Sequence, residues 1–141
     1  MTKEILFIDD LSKENSNYIS VLETAYYVDV TAFIATARKK LQKPERYGLI
    51  VLDIMMPTLG LFTEEETEDG LKTGLVYYER ELKEMNIPVL FWSRNKNFKK
   101  EVDDKQWNNT YFVQKNSDEK HLLEVVDDFL GVNNFLRKIK K

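Results

Sequence analysis

The chain has no cysteine and a single histidine, His121. Without cysteine there are no disulfides and no thiolate zinc site. With one histidine a multi-histidine metal centre is excluded, and a Ser-His-Asp triad would have to run through His121. No apolar run approaches the roughly 20 residues that a membrane-spanning helix needs. There is no basic surplus either. The 21 Lys and Arg face 24 Asp and Glu, a net charge of −3, so a global basic footprint for nucleic acid is missing. The N-terminus, Met1-Thr2-Lys3-Glu4, enters an apolar run at once and does not read as a signal peptide. A cytoplasmic protein that contacts neither nucleic acid nor membrane is the expectation. What is present is ordinary for one globular domain with a real core: 141 residues, 43% hydrophobic and 32% charged.

Five short apolar runs, at about 4–9, 27–32, 48–53, 87–92 and 110–114, alternate with amphipathic segments. Runs rich in Val, Ile, Leu, Phe and Tyr suit parallel strands covered on both faces. The intervening periods predict helices over about 12–26, with Ser12 as N-cap, over 36–43, over 95–107 around Phe98, Val102 and Trp107, and after Ser117 through Leu122, Val125, Val126 and Phe129. The clearest period is Leu71, Leu75, Tyr78, Leu82 and Met85. Strand and helix alternating with short connections imply an α/β fold, a doubly wound five-stranded parallel sheet in the order 2-1-3-4-5. Its ligand crevice lies at the C-terminal ends of the first and third strands.

Both of those strands end on carboxylates. Leu49-Ile50-Val51-Leu52 runs into Asp53, and Ile5-Leu6-Phe7-Ile8 runs into Asp9-Asp10. Three acids at one sheet edge cannot all stay ionised without a cation. Mg²⁺, a hard ion that takes carboxylate, carbonyl and water oxygens, answers that need, and one carboxylate can serve as a nucleophile toward phosphorus. Ser93 follows Val89-Leu90-Phe91-Trp92, and Lys115 follows Tyr111-Phe112-Val113-Gln114. A nucleophile, a cation site, a hydroxyl and an ammonium on one rim are the parts that phosphoryl transfer uses.

These words, in order, resemble the response-regulator receiver domain of two-component signalling, a flavodoxin-like fold. The matching segments are Ile5-Leu6-Phe7-Ile8-Asp9-Asp10, Val51-Leu52-Asp53-Ile54-Met55-Met56-Pro57, Asp69-Gly70, Ile87-Pro88-Val89-Leu90 and the lysine that ends the fifth strand, over about residues 3–130. The resemblance implies that Asp53 accepts a phosphoryl group from a histidine kinase or a histidine phosphotransfer protein. It implies that Asp9, Asp10, Asp53 and the backbone carbonyl of Met55 hold Mg²⁺, and that Ser93 and Lys115 contact the phosphoryl group. It makes Ser93 and Phe112 the switch that passes the change to a downstream protein. It also brings in pairing into a homodimer through the fourth helix, fifth strand and fifth helix.

The chain departs from the family in three places. Asn116 stands where proline usually follows the lysine. The segment 58–69, with Glu64-Glu65-Glu66-Thr67-Glu68-Asp69, is long and acidic, and reads as a mobile solvated loop. Beyond the domain at 1–131, residues 132–141 form an extension that reaches no output domain. A break near Gly131 followed by a short helix or tail is expected there, with Val132, Leu136 and Ile139 continuing the stripe of the last helix and Phe135 adding to its patch. Two other functions fit parts of the pattern. One is a degenerate receiver acting as a constitutive interaction module, against which the retained acids, hydroxyl and lysine speak. The other is an aspartyl-phosphate phosphatase, which needs a second acid two residues after the nucleophile, where this chain has Met55. A flavin-binding relative would need a Ser/Thr/Gly-rich phosphate loop after the first strand, which Leu11-Ser12-Lys13-Glu14-Asn15 does not supply.

Overall fold

The structure is a computed structural model that describes residues 3–115, 118–131 and 136–138. Five strands form one parallel sheet: β1 (Glu4–Ile8), β2 (Val28–Thr31), β3 (Tyr47–Asp53), β4 (Val89–Ser93) and β5 (Thr110–Gln114). Their spatial order is β2-β1-β3-β4-β5, as the alternation predicts. The helices are α1 (Ser16–Glu23), α2 (Ile34–Lys40), α3 (Glu64–Thr67), α4 (Thr73–Tyr77), α5 (Phe98–Lys105) and α6 (Glu119–Leu130). None of the described helices is long and apolar enough to cross a membrane.

Side chains alternate across the pleat, so each strand feeds two cores. Ile5, Phe7, Leu49, Val51, Leu90 and Trp92 pack with Ile19 and Leu22 of α1 and with Leu122 and Val126 of α6. Leu6, Ile8, Ile50, Leu52, Val89 and Phe91 pack with Ile34 and Ala37 of α2, Leu75 of α4 and Phe98 and Val102 of α5. Burial on both faces is why these strands read as continuous apolar runs rather than alternating ones.

Several expectations are corrected. Helix α1 starts at Ser16 rather than near residue 12, and Ser12 is not its N-cap. The Asp9 carboxylate accepts the Leu11 N–H at 2.8 Å and folds residues 11–15 into turns first. Helix α2 spans Ile34–Lys40 rather than 36–43. The period from Leu71 to Met85 is not one regular helix. After α4 the coil widens into a π turn (Tyr78–Leu82) and tightens into a 3₁₀ turn (Lys83–Met85), while Leu71 stays outside and exposed. The wide turn lets the consecutive rings of Tyr77 and Tyr78 both point inward: Tyr77 meets Phe62, and Tyr78 meets Phe91 and Trp107.

The acidic segment 58–69 is largely exposed and irregular as expected, but it holds one short helix. Thr63 and Glu66 form a reciprocal capping box that starts α3, Thr67 is fully buried, and Glu66 pairs with Arg80. The signature Thr-x-x-Glu that announces such a turn is in the sequence; the density of charge around it masked the signal.

Gly131, at φ +83°, ends α6, as the break there requires. The described part of the extension is not helical. Leu136 lies in a turn, and Arg137 forms an antiparallel bridge with Tyr26. The Lys138 N–H donates to the Ala25 carbonyl at 2.7 Å, and Arg137 pairs with Asp127 at 3.5 Å. Leu136 is buried against Gly48, where a Cβ would come within 2.4 Å of its methyl. Asn116, Val132, Phe135 and Ile139 lie outside the described residues. Leu136→Ala should lower stability by about 2–5 kcal/mol, the cost of removing a buried leucine side chain. Urea denaturation measures it, and a loss below about 0.5 kcal/mol would make the packing of the extension incidental.

Candidate functional site

Parallel strands bring their C-terminal ends to one edge, and the register sets what meets there. Asp53 ends β3, Ser93 ends β4, Asp9 follows β1 and Lys115 follows β5. Backbone bonds continue the pairing past the strands: Asp9 N–H to the Thr31 carbonyl at 3.0 Å, and Lys115 N–H to the Ser93 carbonyl at 2.8 Å. Oxygens of Asp9, Asp10 and Asp53 all lie within 4.8 Å of one another. Lys115 reaches between two of them, with Nζ 3.4 Å from Asp9 Oδ2 and 3.6 Å from Asp53 Oδ2. The same ammonium stands 4.5 Å from the centre of the Trp92 ring, a cation–π contact that holds it over the acids.

Burial is severe for these charges. Asp9 is fully buried, and Asp53 is 3% exposed. Burial, with Asp9 and Asp10 as like-charged neighbours, pushes the Asp53 carboxyl from its ordinary 3.8 up to about 8, although Lys115 and the Met55 backbone N–H favour the ionised form. Asp10 is raised as well, by burial and by Asp9.

The three acids are not equivalent. Asp9 is saturated by donors: Oδ1 takes the Leu11 N–H, and Oδ2 faces both Asn15 Nδ2 and Lys115 Nζ. Asp10 Oδ1 is buried with no hydrogen-bond partner. An orphaned carboxylate oxygen beside two further carboxylates fits a hard divalent cation, so the residues present suit Mg²⁺.

The site residues named from sequence divide in two. Asp9, Asp10, Asp53 and Lys115 converge. Ser93 sits at the next strand end, 1% exposed, its Oγ accepting the Asn95 N–H at 3.2 Å. Phe112 is buried in the core layer of α4 and α5, with its backbone in register with Phe91. His121 is half-buried in the first turn of α6.

The residues that brace the site were not foreseen. Gly74 brings α4 against the chain just past Asp53. Its N–H donates to the Ile54 carbonyl at 2.8 Å, and a Cβ there would stand 2.2 Å from the Asp53 carbonyl oxygen. Thr73 Oγ1 donates to the Met56 carbonyl at 2.5 Å. Asn15 was hidden because the helix expected over 12–26 placed it inside the first turn, whereas it precedes α1.

No family model matches the chain, and no curated protein matches it in sequence. Solved structures do match. The chemotaxis response regulator CheY4 of Vibrio cholerae superposes with a TM-score of 0.65 at 20% identity, over 92% of this chain and 100% of that one. The receiver domain of a LuxO repressor homologue from Vibrio parahaemolyticus gives 0.65 at 14% identity, over 92% and 91%. The chain has the receiver fold. The response regulator TrrA of Thermotoga maritima, solved in complex with Mg²⁺-BeF, gives 0.61 at 20% identity, over 92% and 100%. Identities this low establish the fold alone.

A carboxyl that holds its proton more tightly in the folded chain than in the unfolded one stabilises the fold fully below its unfolded value and loses that contribution as pH rises to its folded value. In the absence of divalent cations, Asp53 should therefore make the chain less stable as pH climbs from about 4 towards 8. In EDTA, Asp53→Asn should melt several degrees above the wild type at pH 8, with the gap closing towards pH 4. Scanning calorimetry across that range checks it; a gap independent of pH would contradict the assignment.

Proposed function

We propose that the chain is a phosphoacceptor receiver domain of a two-component or phosphorelay system. Asp53 takes a phosphoryl group from a phosphohistidine of a histidine kinase or a histidine phosphotransfer protein, and a downstream protein reads the result. The observation that carries this reading is the combination at one strand edge of three converging carboxylates, a buried unpaired oxygen on Asp10 and the Lys115 ammonium set between Asp9 and Asp53. The receiver fold supports it, because the acids stand at the switch point of that sheet.

In this reading an Asp53 oxygen forms the new bond to phosphorus as the bond from phosphorus to the imidazole nitrogen breaks, with the electron pair staying on nitrogen. Mg²⁺, when bound, offsets charge on the non-bridging phosphoryl oxygens. Asp10, Asp53 and the Met55 backbone carbonyl would hold it directly, and Asp9, already engaged by three donors, would hold it through water. Lys115 favours the ionised form of Asp53, which cation binding completes, and then pairs with the phosphoryl group. The Ser93 hydroxyl donates to a phosphoryl oxygen, and its movement, with that of the Phe112 ring, is the switch.

The chemistry is confined to the domain's own phosphorylation and its reversal, so the chain is a signalling module rather than an enzyme acting on other substrates. A cytoplasmic location and pairing into a homodimer belong to the same reading.

Acetyl phosphate with Mg²⁺ should add one phosphoryl group to the wild type, and none to Asp53→Asn or to the wild type in EDTA. Lys115→Ala should reduce labelling by about 10²–10³-fold, the scale of losing one preorganised charge partner. Intact-mass spectrometry reads all of these. Equal labelling of wild type and Asp53→Asn would reject the assignment, and an unlabelled wild type would favour the constitutive interaction module.

A further inference from the structure

Asn15 immediately precedes α1, where an Asn side-chain oxygen ordinarily accepts an N–H from the first helical turn. It makes no such bond. The side chain turns inward, 1% exposed, and Nδ2 donates to Asp9 Oδ2 at 3.0 Å. This direction is chemically fixed, because the opposite face of the amide would set a carbonyl oxygen against the Asp9 carboxylate. The consequence is that Asn15 Oδ1 is buried beside the acids with no hydrogen-bond partner.

Among the described residues, three buried side-chain oxygens share that condition: Asp10 Oδ1, Asn15 Oδ1 and Glu66 Oε1. Glu66 Oε1 faces the Arg80 guanidinium, so its charge is answered. Asp10 belongs to the acid site, and the Asn15 amide touches that site through Asp9. A buried acceptor requires a donor. Asp9, which accepts from Asn15 Nδ2, offers none, Lys115 is directed at Asp9 and Asp53, and a proton on Asp53 is given up when a cation binds. Mg²⁺ retains several of its waters when it binds protein carboxylates, and those waters are donors.

We propose that Asn15 is a positioning residue of the cation site. Its Nδ2 holds the Asp9 carboxylate in place, and its Oδ1 accepts a hydrogen bond from a water of the cation's shell. Asp9 and Asn15 then form one outer wall that recognises the hydrated face of the ion, while Asp10 and Asp53 take its inner face. The inference rests on reading the three acids as a cation site, and it extends that site to a residue outside the strand-end acids. It also accounts for the missing helix cap: the side chain leaves its local role for this one.

The test is titration of Mg²⁺ alone into wild type and Asn15→Leu, by calorimetry, with thermal unfolding of both in EDTA and in saturating Mg²⁺. Asn15→Ala, which demands less repacking, is the second variant. Loss of a group that orients a ligand and its water should weaken Mg²⁺ binding about 10–100-fold. In EDTA both variants should melt slightly below wild type, because the hydrogen bond from Nδ2 to the buried Asp9 carboxylate leaves with the amide along with the orphaned oxygen. In Mg²⁺ the deficit of both should be clearly larger. Variants that bind Mg²⁺ within about twofold of wild type would overturn the role of Asn15 and leave the cation site standing. An equal loss of melting temperature in EDTA and in Mg²⁺ would also overturn it, as the mark of packing alone. A wild type that binds no Mg²⁺ would overturn both the role and the site beneath it.

Discussion

Three converging acids, two of them facing one ammonium, at the edge of a buried sheet are the constraint on which the rest of this molecule turns. Counted as ionised, Asp9, Asp10 and Asp53 outnumber Lys115 by three charges to one, inside a region where uncompensated charge is costly. The fold meets this unequally. Asp9 is given three donors, Asp10 keeps a bare oxygen, and Asp53 is left holding its proton more tightly than an ordinary carboxyl. A group in that state is poised: a cation or a neighbouring charge that favours ionisation converts it from an acid into a nucleophile. Stability and chemistry are therefore set by the same four side chains, and they oppose each other.

The surroundings make sense as supports for that arrangement. The backbone leaving Asp53 is pinned from the α4 side by the Gly74 N–H on Ile54 and the Thr73 hydroxyl on Met56, and Gly70, at φ +89°, accepts the Met56 N–H at 3.1 Å through its own carbonyl. Only a residue without Cβ fits at Gly74, since the Asp53 carbonyl occupies the space. On the other face, Trp92 packs edge-on against Phe7 and Tyr18 and presents its ring to Lys115. The segment 58–69 sits over the same loop, with its capping box and the Arg80–Glu66 pair keeping a strongly acidic stretch in a defined shape.

The sheet, its order and the convergence of Asp9, Asp10, Asp53 and Lys115 were legible because buried parallel strands leave an unambiguous trace. Each is an apolar run, and the first polar residue after it lies at the sheet's edge. What was not legible depended on tertiary contacts that override local pattern. Helix α1 begins late because Asp9 competes for the backbone ahead of it, which nothing in Leu11-Ser12-Lys13-Glu14-Asn15 announces. The period from Leu71 to Met85 hid a widened turn, since two neighbouring tyrosines both find core partners. Asn15 lay inside the helix expected over 12–26, and only the position of Asp9 reveals its use. The extension past Gly131 continued an apolar stripe in sequence, but Leu136 reaches the core through a turn and a bridge to Tyr26.

The central claim is that this edge of the sheet is built to hold one divalent cation between Asp10 and Asp53. Crystals grown with Mn²⁺, an oxygen-seeking ion that stands in for Mg²⁺ and scatters anomalously, test it most directly. A single anomalous peak is expected, bonded directly to one oxygen each of Asp10 and Asp53 and to the Met55 carbonyl, with Asp9 one water away. A map with no peak at the acids, or with its only peak among the carboxylates of Glu64, Glu65 and Glu68, would contradict it.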